Sequence, residues 1–392
     1  EEFQCSKCGS ECQVNHCERV LEEVEDDFHN GPILRKKRVM VQVYGQTGQL
    51  KWKRNPTDED LLLFHKVQET ELPAKAPNKE IVWGDLYRSG YHKGISKLHH
   101  FYTRRNFRAV AVLWELVDQF PEDVQDALRL LILSYNSTHS TLMTRVVVKQ
   151  NQPDFVLSGS QSGVLYISGL PVEKNVLLGL KRKAYVIEKA ISILKESRSK
   201  VTVYTSSSEK LDLPDGCVDY IFTDPPFGGY IPYSEINQIN ELWLGYTTDR
   251  SKEIIVSKAE GKSVEDYGNM MFNVFSEMAR VLKPAGLATV VFHSAYSSVW
   301  KALSQAYESA GFGVEATSIL DKIQSSFKQI VSKISVKGDP LLLLTKVRGL
   351  KIDFKIKPEQ IIEEILQDAL GEKKEELDPQ RLWSQFVGRC LE

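Results

Sequence analysis

The 392 residues carry 50 Lys and Arg against 52 Asp and Glu, a formal net charge of −2, with 26% charged, 9% aromatic and 42% apolar residues. That balance fits a globular chain of two or three domains with a substantial core. It excludes a nucleic-acid binder that works through net charge, so such a surface has to be a local patch, and no apolar run reaches the length of a membrane span. Six cysteines in a chain this long fit a reducing, cytoplasmic setting rather than a disulfide scaffold. The opening Glu-Glu and an uncapped apolar-periodic end read as a piece of a longer or processed protein with no signal peptide.

In chain order, residues 1–55 read as a small cysteine-bearing, ribbon-like unit. Cys5 and Cys8 have the C-x-x-C-G spacing of a metal knuckle, and Cys12 with Cys17 or His16 offers a second pair for zinc; the alternative is a reduced cysteine cluster without metal. After the acidic run Glu22–Asp27, the alternation Val39, Val41, Val43, the turn Gly45–Gly48 and a returning strand predict a hairpin. Its basic stretches, Arg35–Arg38 and Lys51–Arg54 around Trp52, are expected on neighbouring strands as one phosphate-facing patch. Two further basic stretches, Lys97–Arg105 and Lys181–Lys183, fit solvated faces. Residues 56–199 read as a mainly helical insert, a candidate for target recognition. There Phe107, Val110, Ala111, Trp114 and Val117 share one helical stripe, and Pro121 opens the next helix.

From Lys200 the rhythm is that of an α/β domain, residues 200–347, followed by a helical tail, 348–392. Strands are expected at Lys200–Thr205, Cys217–Thr223 and Leu287–His293, with helices at Ser263–Leu282 and Ser297–Gly311 and two last strands at 313–322 and 340–347. The strand Cys217–Thr223 runs into Asp224, Pro225, Pro226 and Phe227. Prolines cannot continue a ladder, so the result is a stiff turn holding a carboxylate and an aromatic ring at the carboxyl end of a strand, where open α/β sheets bind ligands.

This D-P-P-F turn, with the downstream Leu282–Gly286 (LKPAG) and its strand, resembles the (D/N/S)-P-P-(Y/F) signature of S-adenosylmethionine-dependent amino-methyltransferases, in particular a group of large prokaryotic DNA adenine methylases. The likeness spans roughly Trp83–Val347. It implies a Rossmann-like class I methyltransferase sheet, DNA as partner, a restriction-modification setting, and methyl transfer to the exocyclic N6 amine of adenine. On this reading the Asp224 carboxylate and the Pro225 carbonyl accept hydrogen bonds from the amine and direct its lone pair towards the methyl donor. Phe227 stacks on the flipped base, Tyr230 and Tyr233 line its pocket or merely fill a loop, and Gly228 and Gly229 let the loop come close. Thr205, Ser206 and Glu209 lie, by the same resemblance, beside the cofactor, with a plain polar turn as the alternative.

The chain departs from the family pattern in one respect. The glycine-rich cofactor turn that the resemblance requires is absent after Asp224, and Gly159–Gly163 (GSQSG) precedes a strand rather than a helix. The first strands of the sheet and that turn are therefore expected in an upstream segment or a partner chain. Alternatives are an RNA base N-methyltransferase, since D-P-P-F-G also resembles guanine-N2 RNA methylases, and a non-catalytic specificity or partner subunit that keeps the fold.

Overall fold

The computed structural model describes residues 2–4, 7–13, 20–29, 31–142, 146–148, 155–157, 165–167, 169, 171–321, 338–347, 358–370 and 386. The chain forms two compact units, Glu1–Lys200 with Tyr233–Arg250 and Val201–Pro232 with Ser251–Glu392. No helix among the described residues is long and apolar enough to cross a membrane.

The first unit begins with three antiparallel two-stranded ribbons: β1 (Glu2–Gln4) with β2 (Glu11–Gln13), β3 (Leu21–Glu25) with β4 (Pro32–Lys36), and β5 (Val43–Thr47) with β6 (Leu50–Arg54). Gly9, just past Cys8, takes φ +74°, a left-handed turn conformation that glycine adopts without strain. Cys5, His16, Cys17 and the side chain of Cys12 lie outside the described residues, and the Cys8 thiol donates to Ser10 Oγ at 3.3 Å. Two expectations are corrected. The hairpin strand starts at Val43, leaving Val39 and Val41 exposed. The two basic stretches do not share a hairpin: β4 pairs with acidic β3, Arg35 opposite Glu22, while β6 pairs with β5. Opposite charges across a strand pair favour that register.

The rest of this unit is helical: α1 (Asp58–Gln68), α2 (Ser89–His92), a 3-10 turn at Leu98–Phe101, α3 (Arg104–Leu116), α4 (Glu122–Leu133), α5 (Asn136–His139), the strand pair β7 (Val146–Val148) and β8 (Phe155–Leu157), α6 (Val176–Leu194) and α7 (Tyr233–Leu244). Thr103 caps α3 by accepting from Asn106 N, and the helix buries Phe107, Val110 and Ala111 as its 3.6-residue pattern requires. Pro121 stands at the N-cap of α4, one residue before the position expected. Inside the core a polar chain is fully matched: Trp243 Nε1 donates to Tyr102 Oη at 3.2 Å, Tyr102 to Asn136 Oδ1 at 2.6 Å, and Asn136 Nδ2 to the Ile239 carbonyl at 2.8 Å.

A second buried polar knot joins the ribbons to this core. Asp26 Oδ2, just past β3, accepts from His99 Nε2 at 2.7 Å and His100 Nε2 at 2.8 Å, and all three side chains are buried. Burial raises the Asp26 carboxyl, but the hydrogen bonds from His99, His100 and Phe28 N outweigh it and hold the group well below the usual range. Burial pulls both imidazoles down, His100 to about 3 with help from the Arg35 charge.

The second unit holds β9 (Val218–Thr223), α8 (Val264–Val281), β10 (Leu282–Val291), α9 (Ser297–Ser309), β11 (Phe312–Asp321), β12 (Gly338–Lys346) and α10 (Pro358–Leu370). The sheet order is β11-β12-β10-β9. β9 and β10 run parallel, and β12 runs antiparallel to β10 and β11, so a mixed α/β sheet has three strands in one direction and one reversed between them. Ser263 and Asp266 form the capping box that starts α8. The ladder between β9 and β10 shifts register across Lys283–Gly286. A Cβ on Gly286 would stand 2.9 Å from the Asp219 carbonyl, so the bend accepts only glycine. Tyr267, Met271 and Phe275 of α8 and Leu303 and Tyr307 of α9 bury Ala288, Val290, Leu342 and Leu344 of the sheet.

Val201–Thr205, expected as a strand, is irregular and exposed. Among the described residues the sheet ends at β9, and a segment without a neighbour has no ladder to join.

The Asp26 knot gives a stability prediction. Asp26→Ala strands two buried imidazole N–H groups and should cost about 2–4 kcal/mol in urea unfolding. For the wild type, both histidines have folded values below the ordinary ~6.5, so the unfolded chain takes up protons that the folded one refuses. Stability should therefore fall as pH drops from 7.5 to 5.5, whereas the contribution of Asp26 is lost only at much lower pH. A urea midpoint that does not move between these two pH values would contradict this.

Candidate active site

β9 delivers Asp224 at its carboxyl end, and the chain then turns through Pro225, Pro226 and Phe227. Asp224 is exposed and Pro225 is buried. The turn is fixed from α8, where the Tyr267 hydroxyl donates to the Pro226 carbonyl at 2.6 Å. Burial raises the Tyr267 phenol, so it stays a donor well above neutral pH. The fold thus uses the Pro226 carbonyl for anchorage, and not that of Pro225, which the resemblance assigns to the amine.

Glycines complete the turn. Gly228 has φ +70° and a Cβ there would sit 3.0 Å from Val299; at Gly229 it would sit 2.7 Å from the Val256 carbonyl. The loop approaches its own framework as closely as backbone allows.

Because β10 runs parallel to β9, with Val290 opposite Thr223, its carboxyl end lies beside the turn. Phe227 meets the edges of Phe292 (ring centroids 5.4 Å, 84°) and His293 (6.0 Å, 60°). Tyr230 also reaches this imidazole, 6.2 Å from His293, and its phenol is raised by burial and by the Asp339 charge. His293 Nδ1 is 3.5 Å from Asp339 Oδ1, contributed by the reversed strand β12. Sequence reasoning missed His293 and Asp339. Only the parallel register brings them to the turn, and a His at a strand end was the one available signal. Tyr233 opens α7, belongs to the first unit and is exposed.

The serine loop is held by α8 as well. Glu209 Oε1 accepts from Asn273 Nδ2 at 3.1 Å, while Thr205 and Ser206 are exposed. Asn273 is six residues from Tyr267, about 9 Å along the helix. Further along, Glu277 accepts from Leu211 N at 2.6 Å and Arg280 donates to the Leu213 carbonyl at 2.9 Å. The Arg280 guanidinium holds the Glu277 carboxyl down to about 2.

Among the described residues one cluster has metal-ligand types, Asp26, His99 and His100. Its hydrogen bonds argue against an ion. His100 Nδ1 accepts from Ser96 N and Lys97 N, at 3.1 and 3.3 Å, so its proton is on Nε2 and points at Asp26, which leaves no lone pair there for a metal.

No protein-family model and no curated protein matches the chain. Among solved structures it is similar to a candidate DNA modification methylase from Thermus thermophilus, at 15% identity over 40% of this chain and 59% of that one, with a TM-score of 0.21. It is also similar to the antibiotic-resistance methyltransferase Kmr, at 16% identity over 37% and 61%, TM-score 0.20, and to the cyclase SpnF, at 13% identity over 46% and 66%, TM-score 0.22. The chain spans less than two thirds of the length of each.

Tyr267→Phe leaves the Pro226 carbonyl without its donor and should destabilise the second unit by about 1–3 kcal/mol. Gly229→Ala should cost at least as much, because its Cβ meets backbone rather than a movable side chain. Denaturant midpoints followed by tryptophan fluorescence check both, and wild-type midpoints would show that the turn is not held as described.

Proposed function

We propose that the second unit carries the methyl-transfer site of an S-adenosylmethionine-dependent amino-methyltransferase acting on the N6 amine of adenine in DNA. The observation that supports this best is the Asp224 turn itself: an exposed carboxylate on a double-proline turn, at the carboxyl end of one of two parallel strands, anchored by Tyr267. An aromatic amine is a poor nucleophile because its lone pair is delocalised into the ring. Fixed acceptors, here the Asp224 carboxylate and the Pro225 carbonyl, localise it, which is catalysis by orientation and electrostatics. Phe227, held edge-on by Phe292 and His293, presents a ring for the base, and Tyr230 is proposed to bound its pocket; stacking of this kind contributes about 1–3 kcal/mol.

S-adenosylmethionine supplies an electrophilic methyl group on a sulfonium. The exposed Thr205 and Ser206 hydroxyls and the Glu209 carboxylate suit the hydrogen bonds of its nucleoside part. The methionine part lacks its glycine turn here. We place that turn on an upstream segment or partner chain that adds strands along β9, whose Tyr220 and Phe222 are exposed, as are Val201, Val203 and Tyr204.

Asp224→Ala should lower methyl transfer at least about a hundredfold while leaving nucleic-acid binding near the wild-type level. Turnover like the wild type in the purified variant removes the assignment. Calorimetry of this chain alone should show weak or no S-adenosylmethionine binding, with affinity recovered once the completing strands are supplied. Micromolar binding by the chain alone contradicts that placement.

A further inference from the structure

Five cationic residues line one small cavity in the first unit, apart from every residue assigned above to methyl transfer. Arg35, Lys36, Lys37 and Arg38 line it with Lys93, and the rest of the wall is glycine or apolar. Its volume is about 50 Å³. On a scale where one water takes about 10–15 Å³, that is room for roughly four waters, or for one tetrahedral oxyanion.

The cavity is built rather than incidental. Arg35 Nη2 donates to the His100 carbonyl at 2.9 Å, and Arg38 donates to the Tyr102 carbonyl at 3.0 Å and to Thr141 Oγ1 at 3.3 Å. Lys36 Nζ donates to the carbonyls of Gly90 at 2.7 Å and Tyr91 at 2.6 Å. These acceptors are neutral carbonyl and hydroxyl oxygens, and they orient the cations. Gly94, at φ +82°, is pressed so closely on β4 that a Cβ would stand 2.8 Å from the Leu34 carbonyl, which brings Lys93 to the same rim. Among the described residues, carboxylates acting on the cavity are fewer than its cations. Asp26 attracts Arg35, Glu173 attracts Arg38, and Glu22 reaches Lys37 only at 3.9 Å. Burial lowers both guanidiniums, and the charge of Arg35 helps bring Arg38 to about 10. Two half-buried like charges that act on one another are unfavourable, and a bound anion relieves that.

We infer that this cavity binds one phosphate group, either a phosphodiester of a nucleic acid or a free phosphate compound. A planar guanidinium fork beside mobile ammonium groups is a donor set suited to phosphate oxygens. The inference stands apart from the methyl-transfer reading, because it uses no residue of the Asp224 turn.

The test uses the full chain and two double variants of equal charge. Lys37→Gln with Lys93→Gln removes two exposed rim cations, and Lys51→Gln with Lys53→Gln removes two from the β5–β6 hairpin outside the cavity. Circular dichroism and thermal melting confirm that each variant folds. Binding of inorganic phosphate, of pyrophosphate and of a 20-base-pair DNA duplex is measured across a salt series. The rim variant is expected to lose about tenfold or more in phosphate affinity, with the hairpin variant unchanged. If the source is nucleic acid, the rim variant also weakens duplex binding and flattens the salt dependence by roughly two, one per lysine. If phosphate binding falls and duplex binding does not, the site serves a free phosphate compound. Equal behaviour of the two variants towards every probe overturns the inference.

Discussion

The site depends on a single hydrogen bond from a helix to a turn. The Tyr267 hydroxyl on the Pro226 carbonyl fixes a backbone that two prolines have already stiffened, and it is satisfied deep enough to remain protonated at any physiological pH. Alone such a bond contributes about 1 kcal/mol, but leaving its acceptor buried and unmatched costs more. Its importance is directional. With Gly228 against Val299 and Gly229 against the Val256 carbonyl, the turn has little room to shift, so backbone geometry helps fix where the Asp224 carboxylate stands.

The same helix organises what precedes the turn. Along the length of α8, Tyr267 holds the turn, Asn273 the serine loop through Glu209, and Glu277 with Arg280 the segment Leu211–Asp215. Most of these bonds are side chain to backbone, which fixes the path of the chain while leaving the identity of the intervening residues free. Thr205 and Ser206 stay exposed on this scaffold. At the opposite rim, His293 and Asp339 bring a titratable pair to the ring of Phe227. Neither residue has a role in the amine chemistry proposed.

What the sequence made legible was local. The D-P-P-F turn follows its strand because prolines end ladders, and the stripe from Phe107 to Val117 buries the face its period demands. What it did not make legible depends on pairing. Val201–Thr205 has the alternation of a strand, but a strand needs a neighbour, and among the described residues the sheet ends at β9. Arg35–Arg38 reads as one strand of a hairpin patch shared with Lys51–Arg54, yet β4 pairs with β3, and Arg35 and Arg38 donate to the carbonyls of His100 and Tyr102. His293 and Asp339 meet because β12 runs in reverse beside β10, an arrangement that no spacing in the chain announces. Asp26 sits in an acidic run, and its partners lie more than seventy residues away.

The central claim is that the Asp224 turn presents an exocyclic amine to a methyl donor. Nucleoside mass spectrometry tests it most directly: DNA and RNA are incubated in parallel with isotopically labelled S-adenosylmethionine and the protein, with the completing strands proposed above supplied, and then digested. The expected result is label on adenine N6 in the DNA. Label confined to another base or to RNA would contradict the substrate, and absence of label from every nucleoside, under conditions where the cofactor binds, would contradict the claim itself.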